Sequence, residues 1–220
     1  MSFNIFLDKK SKLKIAVDGE SGSGKGSICK RIANEYKLLY CETSIFYRKL
    51  AYIAISNNIF SVDGLIKIIN SEDFSANVDK ALLYDERVAE ESSKVAVIKE
   101  VREAINQFQV KLMGENNRII MEGRDIGTII MPDADVKLYV KADIEVRAVR
   151  RYSQYKENGI KASVDQIKNL LIERDERDKA REHAPLKIAS DAIIVDNSAD
   201  GFDEIYNYVI ELITQKCFRE

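Results

Sequence analysis

Residues 14–33 read KIAVDGESGSGKGSICKRIA. A short apolar run of strand character passes directly into Gly19-Glu20-Ser21-Gly22-Ser23-Gly24-Lys25, and then into a segment with Ile28, Ile32 and Ala33 at helical spacing. This junction constrains the fold more than any other feature of the chain. The glycines let successive backbone N–H groups converge on an anion, the helix N-terminus adds positive potential, and Lys25 supplies a point charge. The spacing G-x-x-x-x-G-K between a strand and a helix is that of a phosphate-cradling loop, and a Gly/Ser turn capping an ordinary helix is the plainer alternative. One position departs from the common form. Where a hydroxyl usually follows the lysine stands Gly26, with Ser27 one step later.

Four further short apolar runs, Leu38–Glu42, Arg118–Glu122, Val136–Val140 and Ala192–Asp196, join Lys14–Asp18 as expected strands, and helical patterns at Gly24–Tyr36, Val95–Met113, Glu145–Glu157 and Phe202–Lys216 separate them. Strand and helix in alternation predict an α/β fold around a five-stranded parallel sheet, because parallel neighbours need a long crossover and a helix is the natural one. About seventy-five residues separate the second and third runs, more than one crossover helix requires, so an insert is expected there. Between Arg147 and Arg181 a charge-dense pair of helices flanks the polar turn KENGIKAS, which carries Gly159 and has the character of a flap.

Composition narrows the function classes. The formal charge of −2 leaves no general field to hold nucleic acid or a membrane, so an anion site must be built locally. Cys29, Cys41 and Cys217 are scattered, lack any CxxC pairing and have a single histidine, His183, to help them ligate a metal. They read as inert thiols in a reducing cytoplasm. The N-terminal charges follow a very short apolar patch, the wrong order for a signal peptide, and no apolar run approaches about 20 residues, so a cytoplasmic soluble protein is expected.

Three more stretches turn these readings into a resemblance: ETSIFYRKLAY (Glu42–Tyr52), EGRDIGTIIMPDA (Glu122–Ala134) and IERDERDKAREHAPL (Ile172–Leu186). With the loop, and in the same order from about Lys14 onward, they resemble bacterial cytidylate kinases, nucleoside monophosphate kinases of the P-loop class. The resemblance implies transfer of the ATP γ-phosphoryl group to CMP or dCMP with Mg2+, a P-loop three-layer fold, an enlarged monophosphate-binding insert and an arginine-rich lid. It implies one kinase domain over residues 1–220, with the core at about 13–50, 114–150 and 183–220, the insert at about 51–113 and the lid at about 151–182. A monomer is expected, with ATP and CMP or dCMP as its partners and neither nucleic acid nor membrane.

Position by position, the resemblance implies that Gly19, Glu20, Ser21, Gly22, Ser23, Gly24, Lys25, Gly26 and Ser27 bind ATP. Magnesium is then held through Ser27, water and nucleotide oxygens. Arg48 and Arg124 match arginines that grip the monophosphate, where a planar fork suits phosphate oxygens. Ser93, Arg102, Asp125 and Arg181 match residues around the pyrimidine, with Thr43 close by. Arg174 and Asp178 match positions near the sugar, and Tyr47 precedes Arg48 as the family pattern expects. Arg147 and Arg151 are candidates for the ATP phosphates. Independently of the family, Arg174, Arg177, Asp178 and Arg181 fall at i, i+3, i+4 and i+7 and are expected to share one helix face. Such a stripe supplies the mobile cations that phosphoryl transfer requires, and with Lys25, Arg147 and Arg151 it gives the catalytic set Lys25, Arg147, Arg151, Arg174 and Arg177.

Duller readings stand beside these. Ser93 on a helix is ordinarily a surface serine, and Arg102 ordinarily pairs with Glu103 or a nearby acid. His183 needs no catalytic role, because a phosphate acceptor is already ionised at neutral pH. Four departures from the family pattern bear on the site: Glu42 and Glu122 stand where Asp is usual, Ser44 replaces Gly and incurs strain if that position needs positive φ, and Glu20-Ser21 replaces a Pro-containing start, which is expected to loosen the loop. The competing functions are a kinase on the same core acting on UMP, AMP, a deoxynucleotide or a small hydroxyl substrate, and a nucleotide switch. The switch needs a guanine-selecting Asn-Lys-x-Asp, which the sequence lacks.

If Asp125 accepts the cytosine 4-amino group, uracil would bring a carbonyl against that carboxylate, and CMP should be preferred by several kcal/mol at most. Asp125→Asn is therefore expected to narrow the CMP over UMP ratio of kcat/KM. An unaltered ratio would mean that the base is read by other residues.

Overall fold

The computed structural model describes residues 12–75, 78–157, 159–199 and 201–218. Five strands form one sheet: β1 (Leu13–Gly19), β2 (Leu39–Glu42), β3 (Arg118–Gly123), β4 (Val136–Lys141) and β5 (Ile193–Asp196), in the order β2-β3-β1-β4-β5. β1 runs parallel to both β3 and β4, with Ile15 opposite Ile120 and Val136, and β4 runs parallel to β5. Each strand lies within one residue of the range expected from its apolar run. The reason is clearest in β1, β3 and β4, whose near-continuous apolar runs are buried along most of their length. In this topology all the C-terminal strand ends share one edge, where open α/β sheets bind ligands.

The chain divides into two compact units, one formed by the residues before Glu42 and after Glu115, the other by Glu42–Glu115. In the first, α1 (Lys25–Tyr36) and α10 (Phe202–Phe218) cover one face of the sheet. Ile28, Ile32 and Tyr36 from α1 and Val209 and Ile213 from α10 join Leu13, Ile15, Val17, Leu138 and Val140 in one buried core. α8 (Ile144–Glu157) and α9 (Val164–Ala180) pair through Ala148, Ile167 and Leu171. Their connection contains Gly159 at a φ of 71°, and Ser163 opens α9 with a reciprocal capping box to Gln166, at 3.1 Å and 2.8 Å.

The second unit is helical. It comprises α2 (Ser44–Asn57), α3 (Val62–Ile69), the short α4 (Glu72–Ser75) and α5 (Lys80–Leu83), α6 (Glu86–Val95) and α7 (Lys99–Glu115). Leu50, Ala54, Leu65, Ile68, Val101 and Ile105 form its core, and Phe46 meets Phe108 edge-on at 5.1 Å. Among the described residues no single helix is long and apolar enough to cross a membrane.

Three local expectations are corrected. The helix read at Val95–Met113 begins at Lys99 as α7, and Val95 is instead the last residue of α6, with Ala96–Ile98 interrupting the two. Val95, Val97 and Ile98 are β-branched and favour the interruption, and the Arg102 guanidinium donates to the carbonyl of Ala96 at 3.1 Å, satisfying a group that a continuous helix would have paired. Arg181 does not continue the α9 face, because the helix ends at Ala180 and Arg181 turns to extended backbone at φ −58°, ψ 135°. Ser44 is the first residue of α2 and is not among the described residues with positive φ, so it carries no backbone strain.

Gly19 closes β1 against β4 at a φ of 153°, and a Cβ there would overlap the carbonyl of Val140. The overlap is with backbone, which has no rotamer by which to yield. Gly19→Ala is therefore expected to lower the unfolding free energy by at least about 3 kcal/mol, as overpacking and a disfavoured φ combine. Urea denaturation of the two proteins measures it.

Candidate active site

The phosphate loop hangs between the end of β1 and the start of α1, held by side chains from distant segments. Asn197, buried just after β5, donates its amide to the Ser23 carbonyl at 2.8 Å, and its own carbonyl accepts from Arg150 at 2.9 Å. Lys25 folds back so that its Nζ donates to the Glu20 carbonyl at 3.0 Å. The Glu20 carboxylate is held by Lys179 at 2.8 Å and lies 3.5 Å from Arg147. The expectation of a loosened loop start is thus corrected: Glu20-Ser21 is cross-braced by ion pairs and hydrogen bonds where the related loops carry proline.

Gly26 has a steric reason. Its missing Cβ would lie 3.1 Å from Glu122 Oε1, a buried carboxylate at the end of β3 that also accepts from the Tyr40 hydroxyl. Ser27, one residue on, is exposed at the first turn of α1.

Around Lys25 the charges are crowded and dry. Burial, reinforced by Arg124 and Arg174 and opposed by Glu122, pulls the Lys25 ammonium down from the ordinary lysine range to about 7. Burial likewise lowers Arg124 from its usual value. At the end of β1, Asp18 is pushed up to about 6, chiefly by burial, although it accepts the backbone N–H groups of Ile126 at 2.8 Å and Gly127 at 2.7 Å. Those bonds tie the single turn of π-helix at Ile126–Ile130 to the sheet, and so hold Asp125, which immediately precedes it and is itself buried.

Asp178 on α9 gathers two of the expected residues: Arg124 Nε donates to its Oδ2 at 2.7 Å, and Arg181 pairs with its Oδ1. Arg174 is half-buried, whereas Arg177 is exposed. Arg151 lies over the Tyr155 ring at 5.1 Å and donates to Gln154 at 3.3 Å. Sequence reasoning missed Asp175. It is buried, accepts from the Ser21 amide at 3.2 Å and pairs with Arg147. Its signal was present: Ile167, Leu171, Asp175 and Asp178 make the buried stripe of α9, so a carboxylate occupies an apolar position.

The second unit orders its own set. Thr43 is buried at the start of α2, and Arg48 is buried, donates to the Leu83 carbonyl at 2.9 Å and stacks on Tyr84 at 4.7 Å. Arg102 lies over the Tyr47 ring at 5.6 Å. Ser93 and Arg102 are both buried, so Ser93 is not the surface serine of the duller reading, and Glu103 lies 3.9 Å from Lys99. Glu42 accepts from Ser44 at 2.8 Å and from Tyr84 at 2.6 Å, so two of the departures from the family pattern engage each other.

A glycine loop between strand and helix, a desolvated lysine and arginines gathered at the strand ends define a P-loop phosphotransferase of α/β architecture. The fold is similar to that of a protein from Eubacterium ventriosum (TM-score 0.53, 13% identity, 92% of this chain and 98% of that one) and to shikimate kinase from Bacteroides thetaiotaomicron (TM-score 0.50, 12% identity, 93% and 98%). The chain belongs to the cytidylate kinase family, whose model matches residues 15–215. It is 44% identical over 192 residues to a cytidylate kinase from Rickettsia bellii, covering 87% of this chain and 88% of the relative. It is 39% identical over 209 residues to one from Rickettsia akari, covering 92% and 94%.

The lysine's position predicts a proton linkage. With a pKa near 7, Lys25 is largely neutral at pH 8 in the free protein, and nucleotide phosphates favour its charged form. ATP binding at pH 8 is therefore expected to take up close to one proton, falling toward zero at pH 6, where Lys25 is already charged. Calorimetric titrations in buffers of different ionisation enthalpy measure the uptake.

Proposed function

We propose that this chain transfers the γ-phosphoryl group of ATP to CMP or dCMP, giving ADP and CDP or dCDP. The observation that carries the reading is the buried Lys25 of the phosphate loop with Arg124 and Arg174 close enough to depress it, in a chain of the cytidylate kinase family. A phosphate oxygen of the acceptor attacks Pγ, a P–O bond forms, and the bond to the β,γ-bridging oxygen breaks, leaving its electrons on ADP. The attacking oxygen is already ionised, so no base is required, and catalysis rests on positioning and on neutralising charge.

Residues 19–27 hold the ATP phosphates, and Lys25 supplies charge as the transferring group moves. Arg48 and Arg124 bind the acceptor phosphate, and Arg151, Arg174 and Arg177 bring cations from the α8–α9 lid, about residues 151–182. Thr43, Tyr47, Ser93, Arg102, Asp125 and Arg181 recognise the pyrimidine nucleoside, with Asp178 and Arg174 near the sugar. Within this set Thr43, Ser93, Arg102 and Asp125 are polar side chains in buried positions, where a base edge would be read out of reach of bulk water.

The residues present fit magnesium in a restricted way. Among the described residues no group of three or more His, Cys, Asp or Glu side chains is arranged to hold a metal ion, and the Asp18 carboxylate is taken by backbone amides. The exposed Ser27 hydroxyl remains as a ligand, with water and nucleotide oxygens completing the shell. When bound, the ion would neutralise charge on the β- and γ-phosphates. The reading further assigns the chain to the cytoplasm, acting as a monomer.

A steady-state panel over CMP, dCMP, UMP, AMP and shikimate tests the proposal. ADP release should depend on CMP or dCMP and exceed that with UMP by about tenfold or more, the size expected when one buried hydrogen bond is lost. ATP binding without CMP-dependent ADP release would instead favour a nucleotide-binding module.

A further inference from the structure

Arg147 stands at the first turn of α8 with 5% of its surface exposed, and its guanidinium is already engaged. Nε donates to the Ala142 carbonyl at 2.9 Å, one terminal nitrogen to the Ser21 carbonyl at 3.1 Å and to the Asp175 carboxylate, and the other lies 3.5 Å from Glu20 Oε2. Asp175 returns to the same loop residue, accepting the Ser21 amide at 3.2 Å, so both backbone groups of Ser21 are claimed by this pair. Glu20 completes the junction. Its carboxylate holds Lys179 near the end of α9 at 2.8 Å, and its carbonyl accepts Lys25 Nζ at 3.0 Å.

Withdrawing Arg147 toward a phosphate would leave the Asp175 carboxylate buried without its partner, which is far costlier than any exposed pair. A guanidinium with all three nitrogens occupied by backbone and carboxylates has the geometry of a brace. We infer that Arg147, Asp175 and Glu20 are positioning residues: they set the backbone of the phosphate loop and fix the bases of α8 and α9 to it, whether or not nucleotide is present. Closure of the α8–α9 hairpin is then confined to its distal part, beyond Arg147 on α8 and before Asp175 on α9. Arg147 reaches the ATP phosphates only through the loop it holds. The inference deepens the kinase reading above and rests on it.

Asp175→Asn and Glu20→Gln test it, because both keep the side-chain shape while removing the charge. In nucleotide-free Asp175→Asn, hydrogen exchange at the Ser21 amide should accelerate about tenfold, the equivalent of one charge-assisted hydrogen bond. Its KM for ATP should rise about tenfold with kcat within about threefold of wild type, the pattern of lost ground-state positioning, and Glu20→Gln should shift the same way by a smaller factor. In the wild type, adding CMP with a non-hydrolysable ATP analogue should leave Ser21 exchange as slow as before or slower. Three results would overturn the inference: faster Ser21 exchange on substrate binding, unchanged exchange in Asp175→Asn, or an Arg147→Lys protein whose kcat drops a hundredfold at unaltered ATP KM. If Asp175→Asn does not fold, Glu20→Gln must still raise KM for ATP, and a wild-type value there equally overturns it. The exchange measurement on free protein needs no turnover, so absence of CMP-dependent ADP release would remove the kinase reading and leave the brace standing.

Discussion

The crowding of charges kept from water at the C-terminal edge of the sheet is the constraint on which the remaining architecture depends. Burial lowers both Lys25 and Arg124 by denying them water, and Arg124 and Arg174 stand near enough to Lys25 to depress it further. The chain supplies carboxylates in return: Glu122 close to Lys25, Asp178 on Arg124, and Asp175 on Arg147. These anions hold the cations in place without cancelling their field at Lys25, whose proton is only loosely kept. A phosphate group brought to this edge would favour the charged form of Lys25 in a site whose counter-charges are already in place.

Backbone support comes from the same edge. Asp18 sits at the end of the central strand, and by taking the N–H groups of Ile126 and Gly127 it converts a strand terminus into an anchor for the turn that follows β3. Its ionised form is disfavoured by burial and survives because two amide dipoles face it. The same strand thus carries the phosphate loop forward through Gly19 and restrains the neighbouring turn sideways through Asp18, so two binding segments share one rigid origin.

Much of this was legible in the sequence, for physical reasons that differ by region. The strands announced themselves because a parallel sheet buried on both faces demands unbroken apolar runs, and the loop did so because few residue patterns bring amides, a dipole and a lysine to one point. Asp175 stayed hidden because its meaning lies in partners 28 and 154 residues away, Arg147 and Ser21, which no local periodicity can join. The break at Ala96–Ile98 was obscured by a continuous apolar rhythm across it, and the burial of Ser93 and Arg102 followed only from how α6 packs on α2 and α7 on α3. The family's usual loop suggested that Glu20 without proline would be slack. That reasoning considered backbone freedom alone and left out what a carboxylate there would attract.

Glu42 and Ser44 carry a consequence for how substitutions combine. One adds a methylene where an aspartate is usual and the other adds a hydroxyl where glycine is usual, and in this protein the hydroxyl donates to the lengthened carboxylate while Tyr84 holds its second oxygen. Either side chain without the other would lack this partner within the protein, so substitutions at the two positions are expected to be non-additive. Tyr84, which also lies against Arg48, extends that coupling to a buried arginine.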